Sequence, residues 1–149
     1  MKYLTIKELT ASTTAKGMGI DNTPSPEVVG RLEALVDAVL DPLRERYGHP
    51  IYVSSGYRSP RLNKAVGGAA TSQHVRGEAV DIYVAGQREK AELFAIIYYL
   101  LPYDQLIWER GTDEAPEWIH VSYREGENRR ECLRYDGKRY TEYKPTIRK

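Results

Sequence analysis

The sequence predicts an α+β fold in which helices pack on a small antiparallel sheet. Three observations carry that reading. Apolar residues recur at helical spacing over residues 26–47 and again over 87–101. Short β-rich runs stand at 51–53, 79–84, 105–109 and 118–123. The resulting order is helix, strand, loop, strand, helix, strand, strand.

Thr5-Ile6-Lys7-Glu8 has the spacing of a capping box and predicts a short helix. Residues 12–24 are polar, rich in Ser, Thr and Gly, and predict an irregular loop. Ser25-Pro26 reads as an N-cap followed by proline at the first helical position. From there Val28, Val29, Leu32, Leu35, Val36, Val39, Leu40, Leu43 and Tyr47 form the clearest amphipathic stripe in the chain. Gly48 ends that helix, and Pro42 is expected to kink it or mark a restart. Ile51 to Val53 follows as a strand, and residues 54–78 as a Gly-, Ser- and Asn-containing loop with a helical turn from Pro60 to Val66. Ala79 to Val84 is the next strand. The second helix, 87–101, carries Ala91, Phe94, Ala95, Tyr98 and Leu101 near one face and stops at Pro102. No element is assigned to the basic, Tyr-containing tail from Glu131. No repeat or domain boundary is visible, so residues 1–149 are read as one domain, with the tail from about 133 unplaced.

Bulk properties narrow the function. The 149 residues are 41% hydrophobic and 29% charged with a formal net charge of +1, so neither nucleic acid nor an anionic membrane is called for as a partner. Cys132 is the sole cysteine, which excludes an intrachain disulfide and a Cys-based zinc site; it reads as a structural thiol. Charges interrupt the N-terminal residues before an apolar segment forms, so no secretory signal peptide is expected. No stretch approaches the ~18 apolar residues that span a bilayer. The expectation is a monomer made in the cytoplasm, with no nucleic-acid or membrane partner.

Two of the three histidines have unusual surroundings. His74 precedes the strand that contains Asp81. Strand alternation puts Ala79, Asp81 and Tyr83 on one face and Val80, Ile82 and Val84 on the other. A carboxylate among apolar strand residues is costly unless it is paired or metal-bound. Gly77 allows a turn that brings His74 back beside Asp81. In the later strand, Trp118, His120 and Ser122 share a face opposite Ile119 and Val121. If the strands are neighbours, two imidazoles and a carboxylate converge, leaving a fourth zinc position open as in catalytic sites. Single strand histidines more commonly serve as hydrogen-bonded core or surface residues, and spacing alone leaves both readings standing. His49, between Gly48 and Pro50, reads as a turn residue.

The segment Ser72-x-His74-x-x-Gly77-x-Ala79-x-Asp81, the later Trp118-Ile119-His120-Val121-Ser122 and Ser55-Gly56-Tyr57-Arg58-Ser59 together resemble the zinc D-alanyl-D-alanine carboxypeptidase family. That group is related to the vancomycin-resistance dipeptidase, certain phage endolysins and the hedgehog signalling domain. Asp21-Asn22-Thr23-Pro24 and Asn128-Arg129-Arg130-Glu131 resemble flanking segments of a small single-domain branch. The resemblance, over about residues 3 to 132, implies one zinc ion held by His74, Asp81 and His120. It implies Glu117 as the general base, Arg58 as a substrate-orienting arginine and Ser72 as a serine that shapes the site. Glu117 lies three residues before His120, an offset that on a regular strand reverses the side. Pro116 is expected to keep the backbone irregular enough to turn it inward. Glu114, Asp113 and Glu109 are the reserve acids. The implied activity is hydrolysis of peptidoglycan stem peptides beside a D-amino acid, as carboxypeptidase or endopeptidase. The enzyme would be released by a holin, carried on a virion, or act as a cytoplasmic dipeptidase. The competing reading is a non-catalytic, zinc-containing cell-wall-binding or virion structural module of the same fold. A third is a virion structural protein without metal.

Overall fold

The first helix, α1 (Ile6–Thr10), opens on the predicted capping box: the Thr5 hydroxyl accepts from the Glu8 amide, and the Glu8 carboxylate accepts from the Thr5 amide. The computed structural model describes residues 1–145. Residues 12–24, expected as loop, contain a second helix, α2 (Thr13–Met18). Two local devices hold it: Ser12 caps its N-terminus, and Gly19 closes its end at φ +65°. Ala15 and Ile20 then pack on Leu62 as a small satellite core.

The long amphipathic helix forms as three continuous pieces, α3 (Pro26–Leu35), a π-helical turn (Val36–Leu40) and α4 (Asp41–Tyr47). The expected disturbance by Pro42 takes the form of that wide turn, in which the Asp41 amide bonds five residues back to the Val36 carbonyl. A proline ring clashes with the carbonyl four residues earlier in a regular helix, and a π turn relieves the clash without breaking the axis. Gly48 ends α4 at φ +81°.

The strands are β1 (Tyr52–Ser55), β2 (Ala79–Tyr83), β3 (Gln105–Glu109), β4 (Trp118–Ser122), β5 (Glu131–Tyr135) and β6 (Tyr140–Glu142), in the order β1-β2-β4-β3-β5-β6. Between them lie α5 (Pro60–Ala65), α6 (Gln73–Arg76) and α7 (Gln87–Leu100). The architecture is α+β, as the sequence predicts. The sheet is larger than the sequence indicates, because β5 and β6 come from the unassigned tail. All pairs are antiparallel except β3 with β5, which run parallel.

One sheet face carries the core. Val80 and Ile82 of β2, Leu106 and Trp108 of β3, and Ile119 and Val121 of β4 pack against Leu32, Leu35, Val39 and Leu43 of the long helix, the π turn supplying Val39, and against α7. On α7 the buried residues are Leu93, Phe94 and Ile97. The buried stripe is therefore rotated from the expected one: Ala91, Ala95 and Tyr98 are only partly covered. Each fully buried aliphatic or aromatic side chain contributes roughly 1.5–3 kcal/mol, so this face holds the sheet rigid for the chemistry on the other.

Candidate metal centre and active site

Alternation sends Asp81 and His120 to the face away from the core. The register of β2 against β4 makes them direct cross-strand partners. His74 reaches them from α6, a single helical turn where the sequence reading had placed a loop. Ser72 caps this turn by accepting from the His74 amide at 3.2 Å, and Gly77 ends it at φ +76°. A side chain at Gly77 would be strained by that φ and would meet Val28 at 2.8 Å, so the turn that returns the chain into β2 requires glycine.

The three side chains converge. His74 Nε2 lies 3.4 Å and His120 Nδ1 lies 3.2 Å from the same oxygen, Asp81 Oδ1. The potential ligand atoms all fall within 4.8 Å of one another, and both imidazoles are buried. For neutral rings, the second nitrogen of each imidazole has a partner that favours one tautomer. His74 Nδ1 sits 2.8 Å from the Gly56 carbonyl, which can only accept, so His74 Nε2 presents a lone pair inward. His120 Nε2 sits 2.9 Å from Gln73 Oε1, so its Nδ1 presents the other. In these tautomers three acceptors face one small space, an arrangement that suits a cation. A tetrahedral ion with nitrogen bonds of ~2.0–2.1 Å has ligands roughly 3.3 Å apart. The observed spacing and the nitrogen–oxygen donor set fit zinc.

Burial works to raise the Asp81 carboxyl, but when the imidazoles carry protons toward it, the hydrogen bonds and charges of His120 and His74 outweigh burial and hold the group well below the usual carboxylate range. Positive charge at this point thus keeps Asp81 ionised. Burial lowers His120, favouring the neutral ring that a metal needs.

An open cavity of about 680 Å³ surrounds the three ligands. Arg58 and Ser72 line it, as expected. The Ser72 hydroxyl accepts a second hydrogen bond, from an Arg58 terminal nitrogen at 3.3 Å. Arg58 Nε is buried without a partner, and among the described residues no carboxylate lies within 4.0 Å of the guanidinium. Its backbone is pinned on both sides. Asn22 donates to the Thr10 and Tyr57 carbonyls and accepts from the Ser59 amide, while the Arg58 amide donates to the His74 carbonyl. Asn22 is a site-supporting residue; the resemblance of Asp21-Asn22-Thr23-Pro24 to a family flanking segment singles out its neighbourhood but gives it no role.

The structure does not bring Glu117 to the cavity. Its side chain is exposed, and the three-residue offset from His120 has its ordinary effect because Trp118, next in the chain, is the residue that faces inward. Pro116 does not turn it. Glu114 and Asp113 are also exposed, and Asp113 pairs with Arg134. Glu109 is the acid that reaches the cavity. Ile107 of β3 is the direct partner of His120, and Glu109, two residues on, shares its face about 7 Å further along the strand. Glu109 is 8% exposed; burial, reinforced by the charge of Asp81, pushes its carboxyl up to about 7. In the sequence Glu109 stands only as a reserve acid at the end of a strand run, because the register against β4 that brings it to the cavity is not encoded locally.

A family model described as Peptidase M15 matches residues 2–122. The chain therefore belongs to the Peptidase M15 family, whose members are zinc-dependent peptidases. No curated protein matches the chain. The matched span covers every residue of the triad together with Arg58, Ser72 and Glu109, and ends before β5 and β6.

Proposed function

We propose that this protein hydrolyses peptidoglycan stem peptides at bonds beside a D-amino acid, with His74, Asp81 and His120 as the zinc ligands and Glu109 as the general base. The observation that carries the reading is the convergence of three lone pairs on one space, in a cavity that also holds a protonatable acid and an unpaired arginine. Zinc held by His74, Asp81 and His120 would supply a water of lowered pKa and Lewis-acid polarisation of the scissile carbonyl.

The remaining work falls to the chain. A buried carboxyl that reaches the cavity is placed both to take a proton from the attacking water and to return one to the leaving amine. Arg58 offers a planar fork of donors to a substrate carboxylate, and its lack of an internal carboxylate partner leaves that fork available. Ser72 keeps it aimed. The strands β2, β3 and β4 fix ligands and base on one rigid surface, so the geometry is prepared before substrate arrives.

The test is digestion of purified peptidoglycan followed by mass spectrometry, with the metal content of the protein measured alongside. The expected results are about one equivalent of zinc and release of fragments cut beside D-residues. Free D-alanine identifies carboxypeptidase action, and split cross-links identify endopeptidase action. Intact peptidoglycan with zinc bound would refute the substrate, and less than about half an equivalent of zinc would refute the metal centre.

A further inference from the structure

Behind His120 lies a chain of buried polar groups that the reaction itself does not use. Gln73 is 9% exposed and Asp104 is fully buried. Gln73 Nε2 donates to Asp104 Oδ2 at 3.1 Å, and Gln73 Oε1 faces His120 Nε2 at 2.9 Å. Arg129 grips the same carboxylate. Its NH2 donates to Oδ2 at 2.8 Å, its Nε to Oδ1 at 3.2 Å, and its backbone amide to Oδ1 at 2.9 Å. Arg129 lies beyond the span matched by the family model.

The order of donors and acceptors along this chain has one solution. A carboxylate paired to a guanidinium is acceptor-only. Gln73 must therefore turn its amide nitrogen to Asp104, because the reverse would press its oxygen against a buried carboxylate. Its oxygen is then committed to His120, and an oxygen accepts. His120 Nε2 must carry the ring proton, and Nδ1 is left with its lone pair toward Asp81. The other tautomer would let His120 Nδ1 donate to Asp81 Oδ1, 3.2 Å away, tying two ligands to each other.

We infer that Gln73, Asp104 and Arg129 are positioning residues that lock His120 into the metal-ready tautomer and prevent His120 and Asp81 from capping one another. The inference rests on the zinc reading above. It goes beyond that reading in assigning a role to three residues that are not among the zinc ligands, two of which, Gln73 and Arg129, also line the cavity.

The test measures zinc affinity by chelator competition and His120 protonation by long-range ¹⁵N–¹H NMR of the zinc-loaded protein. In the wild type, the expected spectrum has the proton on Nε2 of His120 and on Nδ1 of His74. Gln73→Leu is expected to weaken zinc binding about 10- to 100-fold, the usual effect of losing a partner behind a ligand. Gln73→Glu alone places two carboxylates together and should weaken binding similarly. Asp104→Asn breaks the chain at its far end, because every acceptor position of that carboxylate takes a hydrogen from Arg129 and either orientation of an amide turns an NH2 toward one of those donors. It should weaken zinc binding about 10- to 100-fold. A role in packing alone predicts that this near-isosteric change leaves zinc affinity unaltered. Zinc affinity unaltered by Gln73→Leu, or an Nδ1 proton on His120 in the wild type, would overturn the inference while leaving the zinc reading intact. The NMR result stands even if a variant fails to fold. A wild type that takes up no zinc would overturn both.

Discussion

Replacing Glu109 by Gln removes the proton acceptor and leaves the shape of the site almost unchanged. If Glu109 is the base, the peptidase turnover number falls about 10²- to 10⁴-fold, the usual contribution of a positioned acid–base group. That corresponds to about 3–5 kcal/mol of barrier. Zinc affinity should move little, because Glu109 is not among the three converging ligands. The same substitution has a second consequence for the metal-free protein. The folded carboxyl titrates at about 7 against an ordinary value of 4.5. The folded state therefore holds this proton more tightly than the unfolded chain does, and stability is lost as pH rises from 4.5 and is fully lost above about 7. At about 1.4 kcal/mol for each pH unit of separation, the cost reaches roughly 3 kcal/mol. Metal-free Glu109→Gln should thus match the wild type near pH 4.5 and exceed it by up to about 3 kcal/mol at pH 8. The assays are steady-state hydrolysis of a stem-peptide substrate and urea denaturation across pH, with Glu117→Ala as the comparison. Activity retained within tenfold by Glu109→Gln, or lost by Glu117→Ala with zinc still bound, would refute the assignment. Parallel stability curves for wild type and Glu109→Gln would refute the raised titration.

Three other perturbations test the framework around the site. A Cβ at Gly56 would stand 2.0 Å from the Leu9 carbonyl oxygen, and Gly56 also accepts from His74. Gly56→Ala should therefore cost at least about 2 kcal/mol in chemical denaturation and weaken zinc binding; a neutral result would mean that the close approach of these segments is wrong. Arg58→Lys keeps the charge and loses the planar fork, so KM should rise about 10- to 100-fold with zinc content unchanged; an unaltered KM would remove Arg58 from substrate binding. Burial pushes the Cys132 thiol up to about 12, so a disulfide reagent should label it only after denaturation; rapid labelling of the native protein would contradict its place in the core.

Local signals in the chain largely determined the elements. The Thr5–Glu8 box, Ser25-Pro26, Gly48 and the alternation in β2 and β4 act over a few residues, so their effect is readable wherever they occur. The same alternation placed Asp81 and His120 on the polar face of their strands. Tertiary structure decided the rest. The strand β5 has a mixed, half-exposed pattern and exists because β3 supplies its hydrogen bonds from 26 residues earlier, an alignment no local period encodes. That Glu109 rather than Glu117 lines the cavity depends on the pairing of Ile107 with His120, since register determines which side chains stand near a given ligand. The orientation of His120 is set further off still, by Asp104 and Arg129 through Gln73. Residue types and periods reveal which faces can carry chemistry; only the packed sheet determines which side chains meet there, because those meetings are made by contacts distant in the chain.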